Sequence, residues 1–441
     1  MAGITTSAGR TAGGLRRILG VGFGLAVIVG STLGIGILRS PGEVAGQLQL
    51  PWAIIAAWLL GGLYTLLGAS CLAELGTMVP QAGGYFVYAR RAFGDWVGFA
   101  VGWTDWITYC AVLAYVSIGM SEFLGELIPS AAGATRPVAI GLLVGFVGLQ
   151  WAGVRVSSWF QEWTTALKCL AFLVLVVAAL ALSGGVPGAP PGASAPPPDL
   201  HRSIQALEAV IITYAGWQSA LYFTEEDRDP TRNLPRAMIG GVIAVIVIYV
   251  LVNVALLAVV PVPELAVAKL PAAAAAQHLL GGRGAEIITV LSIISLPPLL
   301  NAIMMIGTRI LYALGRDGLT WSVTAEVNRS GTPGVATLAT TAVAIALIAT
   351  GTFQRLIAIV SIFLAVNYAV CCLALVALRA REPATPRPYR AWAYPGSAAT
   401  VIAGALAFLV AAAVGDTTSA LWAVGLLAVG LVGYAAIWRP R

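Results

Sequence analysis

The chain has 441 residues, 59% of them apolar and only 10% charged, with a mean hydropathy of +0.88 and a formal net charge of +6. Soluble domains carry about 25% charged residues, and a chain of this size has no interior that could hide so much apolar surface from water. Soluble and disordered classes are therefore excluded, and without a basic stripe interleaved with aromatics the positive balance does not signal nucleic acid.

In chain order, residues 1–19 read as a polar, basic cytoplasmic tail, with no cleavage site of a signal peptide. The apolar runs that follow are continuous rather than alternating. They predict spanning helices of about 20 residues rather than barrel strands. The first five are placed at 20–46, 52–78, 95–125, 137–152 and 158–183. The Pro-rich stretch Gly184–Asp199 cannot form a helix and opens an outer loop over 184–203. Five further helices are predicted at 204–226, 237–260, 286–313, 335–351 and 355–379, and two peripheral ones at 397–414 and 419–437. The fold class is an all-α membrane protein of about twelve transmembrane helices. Its core covers 20–380 in two halves, 20–183 and 204–380, and 381–441 holds the peripheral pair and a short tail.

Arginines cluster at 16–17, 90–91, 228–236, 316–329 and 379–390. Arg39, Arg136, Arg202, Lys269, Arg283 and Arg355 fall on the other side. The positive-inside rule then puts both termini in the cytoplasm, with the protein in the cytoplasmic membrane. Trp52, Trp58, Trp96, Trp321 and Trp438 fit interfacial belts. The five cysteines lack disulfide or metal-knuckle spacing, and with two histidines no metal site is expected. No phosphate loop, dinucleotide fingerprint, nucleophile triad or zinc-protease motif appears, so neither a cofactor nor an enzyme activity is expected.

Two helices carry breaker clusters at mid-membrane depth. The first reads Gly30-Ser-Thr-Leu-Gly34-Ile-Gly36 and runs on to Pro41-Gly42. The sixth reads Thr213-Tyr-Ala-Gly216-Trp-Gln-Ser219. Glycine costs about 1 kcal/mol in a helix interior and proline more. Small residues also permit close packing between helices. Position favours a break, because each cluster opens a block of five helices. That is the footprint of a 5+5 inverted repeat with discontinuous helices 1 and 6. Unwinding at such depth frees backbone groups that lipid cannot satisfy but a polar ligand can. A half-helix N-terminus suits a carboxylate and a facing C-terminus suits an ammonium. A zwitterionic amino acid matches both poles.

From about residue 18 to 380 the sequence resembles an amino acid permease of the amino acid–polyamine–organocation superfamily. Four ordered motifs carry the resemblance. They are Gly34-x-Gly36-Ile37 with Pro41; Glu74 through Pro80 to Gly83-Gly84-Tyr85, then Arg90-Arg91 and Gly102-Trp103; Tyr214-Ala-Gly216-Trp217 through Glu225-Glu226 to Leu234-Pro235-Arg236; and Asn301-Ala302 through Arg309 and Tyr312 to Arg316-Asp317-Gly318. The resemblance implies a LeuT-like fold. It also implies substrate contacts from Ile35, Gly36 and Ile37 in helix 1 and from Ile212, Tyr214, Ala215 and Gly216 in helix 6. Two positions depart from the pattern. Many members have a small hydroxyl residue where Ile35 stands, so backbone donors must hold the carboxylate here. Many have a large aromatic gate where Ile212 stands.

Ionisable residues at membrane depth are functional candidates by default. Lys168, about ten residues into helix 5, reads either as a structural ammonium on the carbonyls of the helix 1 break or as a proton-linked amine. Similar permeases carry a lysine there, where sodium-coupled relatives bind the ion. Sodium-coupled relatives offer small hydroxyl residues in helix 8, whereas this chain has Pro297-Pro298-Leu299 nearby, which supply no side-chain oxygen for a sodium ion. Asp105 in helix 3 is a second candidate for proton coupling, or a partner for a neighbouring helix. Arg39 and Glu43, one helical turn apart, with Glu208 at similar depth, read as an outer gate or as a snorkelling pair. Glu74, Glu225, Glu226, Arg309 and Arg316 read as an inner latch or a solvated loop network.

The sequence thus points to a secondary transporter of amino acids working by alternating access, as a proton symporter or an exchanger, without sodium. Its partners are the small-molecule amino acid and the lipid bilayer. A polyamine or organic-cation carrier is the alternative within transport. A non-transporting receptor or sensor is the alternative outside it.

Overall fold

A computed structural model describes residues 14–131, 133–183, 199–268, 270–351 and 353–437. The first part of the expected tail, the Pro-rich loop up to Pro198, Lys269, the Arg355 side chain and the C-terminal residues from Trp438 lie outside the described residues.

The elements follow in order. They are α1 (Val21–Thr32), α2 (Gly36–Leu48), α3 (Pro51–Met78), α4 (Tyr85–Phe93), α5 (Asp95–Leu127), α6 (Thr135–Trp151), α7 (Val154–Leu182) and α8 (Leu200–Thr213). Then come α9 (Pro230–Val259), α10 (Val262–Val267), α11 (Pro271–Leu280), α12 (Gly284–Arg316), α13 (Gly334–Thr350), α14 (Phe353–Arg381), α15 (Gly396–Gly415) and α16 (Thr417–Ile437). Among the described residues the only extended pairing is an isolated parallel bridge between Leu19 and Asp227.

Eight single helices are long and apolar enough to cross a bilayer. α1 and α2, bent by 49° across a short break, make a ninth span. The shorter apolar helices α6 and α13, and the interrupted segment that begins with α8, bring the described spans to twelve. This is an all-α membrane protein of the predicted size. Local sequence sets several ends. Pro51, Pro230 and Pro271 stand at the first helical position, where the missing N–H is of no consequence. Asp199 caps α8 by accepting from the Arg202 amide at 2.8 Å.

Sequence and structure part company in two places. The sixth span does not resume as an α-helix after its break. The chain turns through Tyr214–Gln218 and continues as a 3₁₀ segment, Ser219–Phe223, so Glu225 and Glu226 lie in a turn rather than on a helix. The stretch between α9 and α12, which no span covers, holds the two short helices α10 and α11, and both pack on α2.

α1, α3 and α9 pack together, with α2 and α8 alongside. A second group forms around α5, which packs against α12, α14, α13 and α6. α7 touches both groups through α1 and α12. α15 and α16 lie outside, against α14, α3 and α5. The face that carries the chain start is called the basic face below. There the Ile18 and Leu19 amides both donate to Glu226 O at 3.0 Å, and the Arg228 amide donates to Leu19 O at 3.0 Å. Trp52, Trp96 and Trp321 are exposed, as an interfacial belt requires. Trp58 is not. It is fully buried with Tyr214 and Tyr249, because α3 turns it toward α8 and α9.

Candidate functional site

Both predicted breaks fall at one level in the bundle. α1 ends at Thr32 and α2 begins at Gly36, so Leu33, Gly34 and Ile35 are unwound. α8 ends at Thr213 opposite them. Gly216 brings the two breaks together. Its φ is +119°, which side chains disfavour, and a Cβ there would lie 2.8 Å from the Ser31 carbonyl carbon and oxygen. Only glycine allows this approach.

A cavity of about 620 Å³ opens from the breaks toward the face opposite the basic one. Its floor holds Ser31, Gly216, Gln218 and Ser219. Its walls come from Thr108, Tyr109, Val112 and Val116 of α5, Leu299 and Ile303 of α12, and Val360, Ser361 and Leu364 of α14. Its mouth carries Arg39, Glu43, Glu208 and Asp416. Gly36, in the first turn of α2, lines this space, and a helix N-terminus carries a partial positive charge.

The carbonyls at the end of α1 are held from two sides. Lys168 Nζ, fully buried, donates to Gly30 O at 2.8 Å and to Leu33 O at 2.5 Å. The ammonium therefore fills a position where carbonyl oxygens converge. On the other side the Tyr249 hydroxyl lies 2.8 Å from both Thr32 O and Thr213 O, and so ties the C-terminal ends of α1 and α8 together. Gln161 and Thr165 donate to Ala26 O one turn earlier, and Asn301 Nδ2 donates to Gln161 Oε1 at 2.9 Å. This chain of bonds carries the α1 contact through α7 to α12.

Beneath the floor the basic face is sealed. Ser31 and Ser219 hydroxyls bond at 2.8 Å, and Phe23 meets Phe223 edge to face with ring centres 5.0 Å apart. Arg309 pairs with Glu226 through Nε and Nη2 at 2.8 and 3.0 Å, with both side chains fully buried. Glu225 accepts from Arg316 at 2.5 Å and from the Ala82 amide at 3.0 Å. Arg90 bridges Asp95 and Asp317.

The predicted residues divide as follows. Ile35, Gly36, Ile212, Ala215 and Gly216 line the cavity, as do Arg39, Glu43 and Glu208 at its mouth. Ile37 and Tyr214 do not. Ile37 is fully buried in the core behind the site, and Tyr214 points its hydroxyl to Trp58 O at 3.0 Å. Glu225, Glu226, Arg309 and Arg316 meet under the floor. Glu74 stands apart from them, paired with Arg379 and with Arg387 of the loop after α14 and bonded by the Ala391 amide. Asp105 is fully buried below the cavity and accepts from Tyr222 at 2.8 Å. Tyr249, Gln218 and the two floor serines were not singled out from sequence. Gln218, an amide at membrane depth, carried the one usable signal.

These features describe a carrier with an open vestibule on one face and a latched floor on the other. Comparison with known proteins gives the same answer. The family profile of amino acid permeases matches residues 24–432. The serine/threonine exchanger SteT of Bacillus subtilis is 27% identical over 411 residues, spanning 92% of this chain and 93% of that protein. The Asc-type amino acid transporter 1 of Mus musculus is 29% identical over 388 residues, 85% of this chain and 73% of that protein. The b(0,+)-type amino acid transporter 1 of Oryctolagus cuniculus is 27% identical over 386 residues, covering 85% and 79%. With a matched profile over nearly its whole length and the broken-helix site in place, the chain belongs to the amino acid permease family, as a multi-pass membrane transporter rather than an enzyme.

Proposed function

We propose that the protein carries small neutral amino acids across the cytoplasmic membrane by alternating access, with the basic face and both termini in the cytoplasm. One observation carries this reading. Gly36 at the N-terminus of α2 and the turn after α8 line one cavity, whose deep part, among the described residues, holds no charged side chain. The α-carboxylate and α-ammonium find opposite poles, and a neutral side chain lies among Val112, Val116, Leu299, Ile303 and Ser361. Serine and threonine, which the SteT relative exchanges, fit that mixture of apolar wall and hydroxyl. A polyamine would need acids deep in the cavity, and the lining acids sit at its mouth.

Lys168 and Tyr249 support operation without sodium. Each already satisfies backbone carbonyls that a bound cation would otherwise coordinate. Arg39, Glu43 and Glu208 act at the outer entrance, and the Glu225–Arg316 and Glu226–Arg309 pairs hold the cytoplasmic side shut. The test is uptake of radiolabelled amino acids into proteoliposomes, with and without internal amino acid, sodium and a pH gradient. Uptake of serine, threonine or alanine in sodium-free buffer is the expected result. Silence for every amino acid with uptake of putrescine or spermidine would transfer the protein to polyamine transport.

A further inference from the structure

Among the described residues, Asp105 is the one buried acid near the site that no basic residue answers. Its Oδ2 accepts from Tyr222, and its Oδ1 has no partner among the described residues. The titratable groups facing it are Tyr85 of α4, Tyr109 on its own helix, Tyr222 of the 3₁₀ segment, and Tyr368 and Cys371 of α14. No cation is among them. An ionised carboxylate shut away from water and from any positive charge is costly, and the usual remedy is to keep a proton.

The acid is also connected. Tyr368 OH and the Gly216 amide donate to Gln218 Oε1 at 3.2 and 3.1 Å, which turns the Gln218 amide nitrogen toward Tyr109. Gln218 Nε2 donates to the Tyr109 hydroxyl at 3.3 Å. Tyr109 and Tyr222 meet edge to face at 5.4 Å between ring centres. Tyr222 donates to Asp105. Gln218 and Tyr109 themselves line the cavity, so these side chains run in contact from the cavity floor to the carboxylate.

We infer that Asp105 is the proton carrier of the transport cycle, loaded from the substrate cavity through Tyr109 and Tyr222. The inference rests on the amino acid transport proposed above and specifies its driving ion. In the loading step a hydronium in the cavity loses a proton to the Tyr109 oxygen. Tyr109 passes its own proton to Tyr222, and Tyr222 passes its own to Asp105 Oδ2. One O–H bond forms on the acid, one breaks in the hydronium, and both hydroxyls end as they began. When the latched floor opens, water that reaches Oδ1 takes the proton on the other side. Each neutral amino acid then travels with one positive charge, while Lys168 keeps its own protons on the two carbonyls.

The experiment uses the full chain in proteoliposomes containing a pH-reporting dye. It compares uptake driven by an inward proton gradient with counterflow at equal pH. In the wild type, the gradient should stimulate uptake and the lumen should acidify with it. Asp105→Asn, a near-isosteric change, should keep counterflow while losing both the stimulation and the acidification. Stimulation that survives in Asp105→Asn, or that is absent from an actively exchanging wild type, would overturn the inference and leave amino acid transport standing. If Asp105→Asn does not reach the membrane, Tyr222→Phe decides, since it removes only the last hydroxyl. Its gradient response should fall with counterflow intact, and an unchanged response overturns the relay. Failure of wild-type counterflow with every amino acid would instead remove the transport reading itself.

Discussion

Arg309 and Glu226 form a two-pronged ion pair with no solvent exposure on either side chain, joining α12 to the turn that follows the sixth span's break. Its Glu226 carbonyl also accepts the amides of Ile18 and Leu19, so one residue holds both the start of the first span and the end of the sixth. Removing one member of a buried pair strands the other, at about 3–5 kcal/mol. Arg309→Gln should lower the melting temperature in detergent and raise the labelling of cysteines placed under the floor. Replacing both, as Arg309→Met with Glu226→Leu, should recover most of the stability while leaving the raised labelling, because the charge attraction across the latch is gone.

Gly216→Ala should abolish uptake. The new methyl group would strike the Ser31 carbonyl, and the residue would also keep a φ of +119° that alanine resists. A protein that reaches the membrane but carries no substrate is the expected outcome, measured by uptake normalised to expression. Gly30→Ala should behave alike, since its Cβ would meet the Gln161 and Thr165 side chains that hold Ala26 O.

Lys168→Ala leaves Gly30 O and Leu33 O without their donor in a buried setting, where each unsatisfied group costs about 1–3 kcal/mol. Uptake should be lost, and sodium should not restore it. Two carbonyls fall well short of the roughly six oxygens that hard cations of this kind ask for. The measurement is uptake by the variant in sodium and in choline buffers. Rescue by sodium would show that further ligands stand ready around the vacated ammonium.

Tyr249→Phe is the subtler test. It deletes a single oxygen yet frees the ends of two half-helices, Thr32 and Thr213. A loss of about 1–3 kcal/mol in stability is expected, together with weaker substrate binding in a thermal-shift titration.

Glu382 supplies a pH-dependent prediction outside the spans. The Arg91 guanidinium, bonded at 3.2 and 2.6 Å, holds its carboxyl below the usual carboxylate range. A depressed folded-state value stabilises the protein above the unfolded value of about 4.3, and the contribution fades as pH falls through the folded one. The pair is partly exposed, so the effect is below about 1 kcal/mol. Wild type and Glu382→Gln should differ slightly in melting temperature at neutral pH and coincide in acid.

The spans and both breaks were legible because lipid imposes a simple composition rule and because each glycine cluster opens a block of five helices. The site was legible in part. Gly36, Ala215 and Gly216 line the cavity as expected, whereas Ile37 and Tyr214 turn away, since neighbours along an unwound stretch point in different directions and a motif does not say which. Lateral partners were illegible for a related reason. Glu74 carries the same charge as Glu225 at the same depth, yet it pairs with Arg379 and Arg387, because α3 packs beside α14 there. Tyr249 was hidden in an ordinary apolar helix and took on its role only when α9 packed against the two breaks.

The bridge between Leu19 and Asp227 has a bearing on biosynthesis. The ribosome must add more than two hundred residues after the first segment before its partner exists. Throughout that interval the opening span sits in the bilayer with its basic-face end untethered. A leak-tight barrier is thus a late product of translation, completed only once the second half of the chain folds back over the first.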